Sequence, residues 1–149
     1  MIKTIYSFFL STVLVTFLLI GQTTVTNMIW LLSIDMPVTV TIIFSSLIHD
    51  LVNMNVGGAI PVIGLVSFGL LIAFILTRII LIWVQMNNRY AYALAGGCAI
   101  ATIILLMPLA FYNLDLIAGA RSLLGKVFLI LSGMFGGYLF GSMPKSTEV

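Results

Sequence analysis

Four apolar stretches, each long enough to cross a bilayer, constrain this chain more than any other feature. They cover residues of about 4 to 32, 60 to 84, 91 to 112 and 122 to 143, and about 20 apolar residues suffice for a helix to cross the hydrocarbon core. Because only 7% of the residues are charged and 62% are hydrophobic, the composition leaves no room for a separate soluble domain. The sequence predicts an all-α integral membrane protein, a four-helix transmembrane bundle that forms one domain over residues 1–149.

The first stretch is longer than one membrane crossing requires. A single helix from Thr4 to Ile34 would be about 46 Å long at about 1.5 Å per residue, against a hydrocarbon core of about 30 Å. It must tilt, project from the bilayer or end early, and Pro37 disfavours a helix that continues past Met36. The same stretch imitates a secretory signal but lacks a convincing cleavage site, so we expect an uncleaved first span.

The charged residues predict the orientation of the spans. Basic residues concentrate on the cytoplasmic side of membrane proteins. Four of the 6 Lys and Arg residues fall on one side, namely Lys3, Arg78, Arg89 and Lys145. The other side holds Asp35, Asp50 and Asp115, together with Arg121 and Lys126, which oppose this orientation. We expect a multi-pass protein of the plasma membrane, in a bacterium the inner membrane, with both termini in the cytoplasm.

Residues 38 to 54 have a different pattern from the four spans. Apolar residues follow helical spacing on one face, at Phe44, Leu47, Ile48, Leu51 and Val52. The opposite face is polar, at Ser45, Ser46, His49, Asp50 and Asn53. This predicts an amphipathic helix that lies on the outer surface or caps the bundle between spans one and two. Its start is open, because the β-branched residues from Val38 onward also suit an extended segment. Residues 144–149 form a polar tail that we expect to be disordered.

Five ionisable side chains near the predicted outer ends of the helices form a candidate binding surface: His49, Asp50, Asp115, Arg121 and Lys126. Ionisable residues near or within a membrane pair with one another or mark ligand pathways, so this cluster could bind an anionic headgroup, an ion or a loop of a partner. The alternative for Lys126 is a long side chain that reaches back to water. The alternative for His49 and Asp50 is a solvated helix face.

Metal, cofactor and nucleic acid binding find no support in the sequence. The chain has one histidine, His49, and one cysteine, Cys98. These two residues are too few to supply the ligands of a zinc site. Consecutive residues such as His49 and Asp50 point about 100° apart on a helix and are not expected to chelate together. The net charge of +2 with scattered basic residues lacks the basic patch of a nucleic acid-binding protein.

Small residues recur every four positions in spans three and four. Close packing through such residues drives helix association in membranes. Span three carries Ala93, Gly96, Gly97 and Ala101, and span four carries Gly133, Gly136, Gly137 and Gly141. One interpretation is a surface for a homo-oligomer. The other, which we favour, is that the two spans pack on each other within one chain, as antiparallel neighbours commonly do.

A polar stripe follows the first span at Thr12, Thr16, Thr23 and Asn27, within an arc of about 60° at 100° per residue. It could line a water path. Alternatively, the hydroxyls bond to carbonyls four residues back and Asn27 reaches the outer interface.

These observations lead to three hypotheses of function. The first is a non-enzymatic accessory or structural membrane protein that binds lipid or a membrane partner through the outer polar residues. The second is a small oligomeric channel or carrier for an ion or small solute. The third, ranked last, is a membrane enzyme that acts on lipid or quinone, because the sequence contains no phosphate loop or nucleophile elbow.

Overall fold

The structure of the chain, a computed structural model, describes residues 2–57, 61–110 and 117–143. These ranges are mostly helical, with no strand among them. The helices are α1 (Ile2–Ser33), α2 (Val40–Val52), α3 (Val62–Trp83), α4 (Asn88–Ala110) and α5 (Leu123–Ser142), with a π-helical turn at Asn53–Gly57 and a 3-10 turn at Ala118–Arg121. Of these, α1, α3, α4 and α5 are long and apolar enough to cross a membrane. Asp115 and the predicted tail 144–149 lie outside the described residues.

The long first helix does not end early. It continues for 32 residues and stops at a turn in which Met36 N–H bonds to Leu31 O and Asp35 N–H bonds to Leu32 O, both at 3.2 Å. Asp35 has a φ of 57°, the left-handed conformation that commonly closes a helix in this pattern of paired bonds. Pro37 follows at once and prevents the helix from resuming there.

Asparagine side chains fix two helix ends that apolar patterning did not place. The fourth helix begins at Asn88, three residues before the predicted start, because Asn87 accepts a bond from Arg89 N–H through Oδ1 at 3.2 Å and from Tyr90 and Ala91 N–H through its carbonyl. Asn55 bonds to Leu51 O at 2.8 Å and accepts from Ile63 N–H at 3.0 Å. It therefore ties the end of α2 to the first turn of α3, where backbone donors need partners.

The four long helices form a closed ring in which α1 contacts α5, α5 contacts α4, α4 contacts α3, and α3 contacts α1. Buried apolar side chains from every helix fill the centre, including Leu19, Leu70, Ile100 and Leu129. The second helix packs outside this ring against α1. Its contact edge includes Leu47 and Leu51, which are partly buried.

The contact between α4 and α5 is the closest in the bundle. A Cβ atom at Gly133 would lie 2.5 Å from Gly96 O, and one at Gly96 would in turn collide with Gly133 O. A Cβ at Gly141 would lie 2.8 Å from Asn88 O, and one at Gly97 would lie 2.5 Å from Met134 Cγ. These glycines place the two backbones in direct contact, which larger side chains would prevent. Gly136 instead faces α1, beside Val15 and Ser11.

The described surface of the bundle is apolar, unlike that of a protein folded in water, while several hydroxyl side chains lie inside. Ser11, Thr12, Thr16 and Thr24 are buried. Large apolar side chains cover the outside, and many are more than half exposed, among them Phe9, Phe68, Ile75, Phe128 and Phe135. A water-soluble monomer seldom exposes a continuous apolar surface, so this exterior suits apolar surroundings.

Candidate functional site

Side chains from α1, α2 and the start of α5 make polar contacts at one end of the bundle, which we call the α2 end. On one side of α1, the Thr24 hydroxyl lies 2.7 Å from Asp50 Oδ2 and 3.1 Å from Ile20 O. Thr24 is buried and Asp50 is half-buried. Because a hydrogen bond to a charged group is stronger than one between neutral groups, this contact holds α2 against α1.

The rest of the predicted polar face of α2 points elsewhere. His49 is exposed, and its Nδ1 accepts a hydrogen bond from Asn53 Nδ2 at 2.7 Å, one helical turn away. The apolar residues Phe44, Ile48 and Val52 are also exposed, at 64%, 62% and 54%. The helix therefore contacts α1 along the border between its two faces, and the part of its apolar face formed by Phe44, Ile48 and Val52 remains uncovered by the described part of the chain.

A second polar junction joins α1 to the 3-10 turn and α5. The Gln22 amide donates from Nε2 to Gly125 O at 3.1 Å, and Ser122 caps α5 by accepting from Gly125 N–H at 3.0 Å. A Cβ atom at Gly119 would lie 3.1 Å from Gln22 Oε1, and one at Gly125 would collide with Gly119 O. Two glycines thus allow the turn to fold closely over the start of α5.

The basic residues of the predicted surface lie near this second junction. Arg121 is exposed and Lys126, in the first turn of α5, is half-buried. Within the described ranges, no hydrogen bond or ion pair connects either of them to His49 or Asp50. The structure therefore brings Asp50 to Thr24 rather than to a basic side chain. Since Asp115 lies outside the described residues, the cluster as a whole stays a prediction.

The threonine stripe of α1 faces the interior. Thr12, Thr16 and Thr23 are 2%, 4% and 1% exposed, and Asn27 is half-buried. Thr23 donates to Leu19 O at 2.9 Å, as expected if the hydroxyls bond to carbonyls four residues back, but the hydroxyls of Thr12 and Thr16 have no hydrogen-bond partner among the described residues. Gln22 Oε1 is buried without one as well. Such groups in a closed core need an explanation, because an unpaired buried hydroxyl is costly.

Aromatic rings close the opposite end of the bundle, where the chain begins. Phe74 stacks on Phe140 with ring centroids 4.4 Å apart and contacts Tyr92 edge to face at 5.5 Å. Phe8 also contacts Phe74 edge to face, with ring centroids 6.3 Å apart. Four helices thus meet in one aromatic cluster, formed by Phe8, Phe74, Tyr92 and Phe140, and sequence spacing gave no indication of it.

Several side-chain contacts between helices could not be found from the sequence. The Ser11 hydroxyl donates to Gly136 O at 2.5 Å, and neither residue predicts the other. Gln22 gives a clearer indication of a contact between helices, because a long amide in an apolar helix needs a partner.

The described residues contain no group of three or more His, Cys, Asp or Glu side chains that could hold a metal ion. Comparison of the chain with protein-family models, with curated proteins and with solved structures gave no match.

Proposed function

We propose that this chain is a non-enzymatic, multi-pass membrane protein that serves as an accessory or structural component and binds lipid or a membrane partner at the α2 end. The observation that carries the proposal is the apolar exterior of the described residues, which surrounds a core that contains seven buried Ser and Thr residues. In lipid this arrangement is stable, because there the exterior does not need to be polar and helices associate through close packing.

Charge and exposure at the α2 end support binding there. Arg121 and Lys126 are the basic groups of that end, and Arg121 has its side chain exposed. The apolar residues Phe44, Ile48 and Val52 of α2 are exposed at the same end. Basic groups and an apolar helix face at the same end of the bundle suit the boundary of a bilayer with anionic headgroups.

Lipid binding by purified protein tests this proposal. We expect native mass spectrometry to show tighter binding of phosphatidylglycerol than of phosphatidylcholine, and Lys126→Leu to remove most of that preference. Lys3→Leu is the matched control, because Lys3 is equally basic but lies at the other end of α1. Equal affinity for both lipids in the unmodified protein, or an unchanged preference in Lys126→Leu, would argue against a headgroup site at the α2 end.

The orientation is a separate part of the proposal, with both termini in the cytoplasm. In a Cys98→Ala background, His49→Cys should react with a membrane-impermeant maleimide on intact cells, because His49 is exposed at the α2 end. Lys3→Cys should react only after the membrane is permeabilised. The reverse pattern would show that the α2 end faces the cytoplasm.

A small channel or carrier is the second candidate, and the unpartnered hydroxyls of Thr12 and Thr16 favour it. A path along them would need polar groups that continue through the bundle. Opposing it, the aromatic cluster and the apolar core fill the centre of the ring. We therefore place a conduction path second, and expect it to require rearrangement or several copies.

A further inference from the structure

An apolar groove runs along the outside of the α3–α4 hairpin. It has a volume of about 540 Å³ and extends from Gly69 to Ile80 on α3 and from Ala91 to Ile103 on α4. Met86, in the connection between the two helices, also lines it. At about 1.5 Å per residue these segments are roughly 17 Å long. The groove thus occupies mainly the half of the hairpin next to the connection.

The lining offers almost nothing to a polar ligand. Its two hydroxyls are already used, since Thr77 donates to Ala73 O and Thr102 donates to Cys98 O, both at 2.8 Å. The other lining residues are aliphatic apart from the Cys98 thiol, the Met86 thioether and one glycine. A polar group in the groove would find no hydrogen-bond partner there, so the part of the occupant that contacts the groove must be apolar.

The dimensions distinguish between apolar occupants. Dividing the volume by the length gives a mean cross-section of about 30 Å² for the centres of water-sized groups, which corresponds to walls about 9 Å apart once a water diameter of about 2.8 Å is added. A helix with its side chains is about 10–12 Å wide, so the groove is too narrow to enclose one. The length of about 17 Å is close to half of the roughly 30 Å hydrocarbon core, which is the share of one leaflet. Ile103 lies so close to Gly69 that a Cβ there would be 2.8 Å from Ile103 Cδ1, and this contact lies at the end of the groove away from the α3–α4 connection.

We infer that this groove binds one acyl chain of a membrane lipid from the leaflet on the side of the α3–α4 connection. The inference rests on the proposed membrane location. A chain in the groove gains no hydrophobic free energy over its neighbours in the bilayer; it is held by dispersion contacts with a fixed wall. The groove therefore selects a lipid by the shape of its acyl chain and not by its headgroup. In this respect it differs from the proposed headgroup site at the α2 end.

Filling the groove with a side chain tests the inference. Cys98 is exposed within it, so Cys98→Phe should occupy it without disturbing the core. Ile75→Phe is the matched control, because Ile75 is 53% exposed on α3 but does not line the groove. With delipidated protein and added phosphatidylcholine, native mass spectrometry should show one tightly bound lipid, with the dissociation constant raised at least about tenfold (about 1.4 kcal/mol) in Cys98→Phe and unchanged in Ile75→Phe.

A second measurement needs no substitution. Added phosphatidylcholine should slow the reaction of Cys98 with a maleimide several-fold in the unmodified protein, because a bound chain covers the thiol. Unchanged labelling, or equal lipid affinity in Cys98→Phe and the unmodified protein, would overturn the inference. Loss of a dimer rather than of a lipid in Cys98→Phe would assign the groove to contact between copies instead. Failure of the headgroup proposal would be recognised separately, because Lys126→Leu should alter the preference between lipids and leave Cys98 protection intact.

Discussion

Asp35 holds a backbone conformation that glycine adopts more easily. Its φ of 57° brings Cβ close to the backbone, and its carboxylate lies at the negative end of the α1 dipole. We expect Asp35→Gly to raise the free energy of unfolding by about 1 kcal/mol, and Asp35→Ala to lower it by a similar amount, because alanine keeps the Cβ but cannot bond locally as aspartate does. Thermal unfolding in detergent measures both, and an alanine variant more stable than the glycine variant would contradict this explanation.

The contact between Thr24 and Asp50 is the main polar link between α1 and α2. Thr24→Val keeps the shape of the side chain but leaves the half-buried carboxylate without its donor, so we expect a loss of about 1.5–3 kcal/mol. Thr26→Val is the control, because Thr26 donates only to Gln22 O in its own helix. Unfolding of Thr24→Val, Asp50→Ala and the double variant gives the coupling, and additive effects would show that the contact contributes nothing.

The same two residues show what a single sequence reveals about a site. Asp50 stood out because a carboxylate near a membrane span is rare, and its position on the polar face of α2 followed from helical spacing. Its partner did not, because Thr24 lies 26 residues away and resembles every other threonine of α1. Spacing predicts which residues share a face of one helix, whereas the choice of neighbouring helix depends on packing of the whole bundle.

Two glycines in different helices test whether close backbone contact stabilises the bundle. A Cβ at Gly133 would lie 2.5 Å from both Gly96 O and Ile100 Cγ1, whereas the nearest described atom to one at Gly64 is Pro61 Cβ, at 3.9 Å. We expect Gly133→Ala to lower stability by about 1–3 kcal/mol, as overpacking does. Gly64→Ala should be neutral or stabilising by up to about 1 kcal/mol, because alanine favours the helix. Equal melting temperatures would show that α4 can move away from α5 at little cost.

At the level of helices, length and hydropathy predicted the four long helices, because an apolar run that long has few alternatives to a helix. The ends were harder to predict. Asn88 and Arg89 belong to α4 although they are polar, since Asn87 supplies its first hydrogen bonds. The predicted helix at 38 to 54 is divided into α2 and a π-helical turn, which Asn55 links to α3. Single side chains determine where a helix begins and ends, and an average of hydropathy over many residues does not detect them.

For the whole molecule, the order of the helices around the ring could not be predicted from the sequence. Among the described residues, the aromatic cluster joins α1, α3, α4 and α5, and the apolar core fills the ring from this cluster towards the α2 end. The first helix contacts α5 through Ser11 and Val15 at Gly136, and nothing in the spacing of these residues required it. Which helices contact each other depends on the packing of the whole ring, because the position of each helix restricts where the others can pack.

The closed interior predicts that one copy of the chain does not conduct. Liposomes that contain the purified protein should retain ions and small solutes, and Thr12→Val with Thr16→Val should leave this unchanged. Because both hydroxyls are buried without partners, the double variant should also be more stable, by about 0.5–1 kcal/mol per site. If the stripe instead lines a path, the unmodified protein will release solute and the double variant will release less. Flux and melting temperature, measured on the same two preparations, therefore separate a filled core from a pore, because the two differ in whether water reaches Thr12 and Thr16.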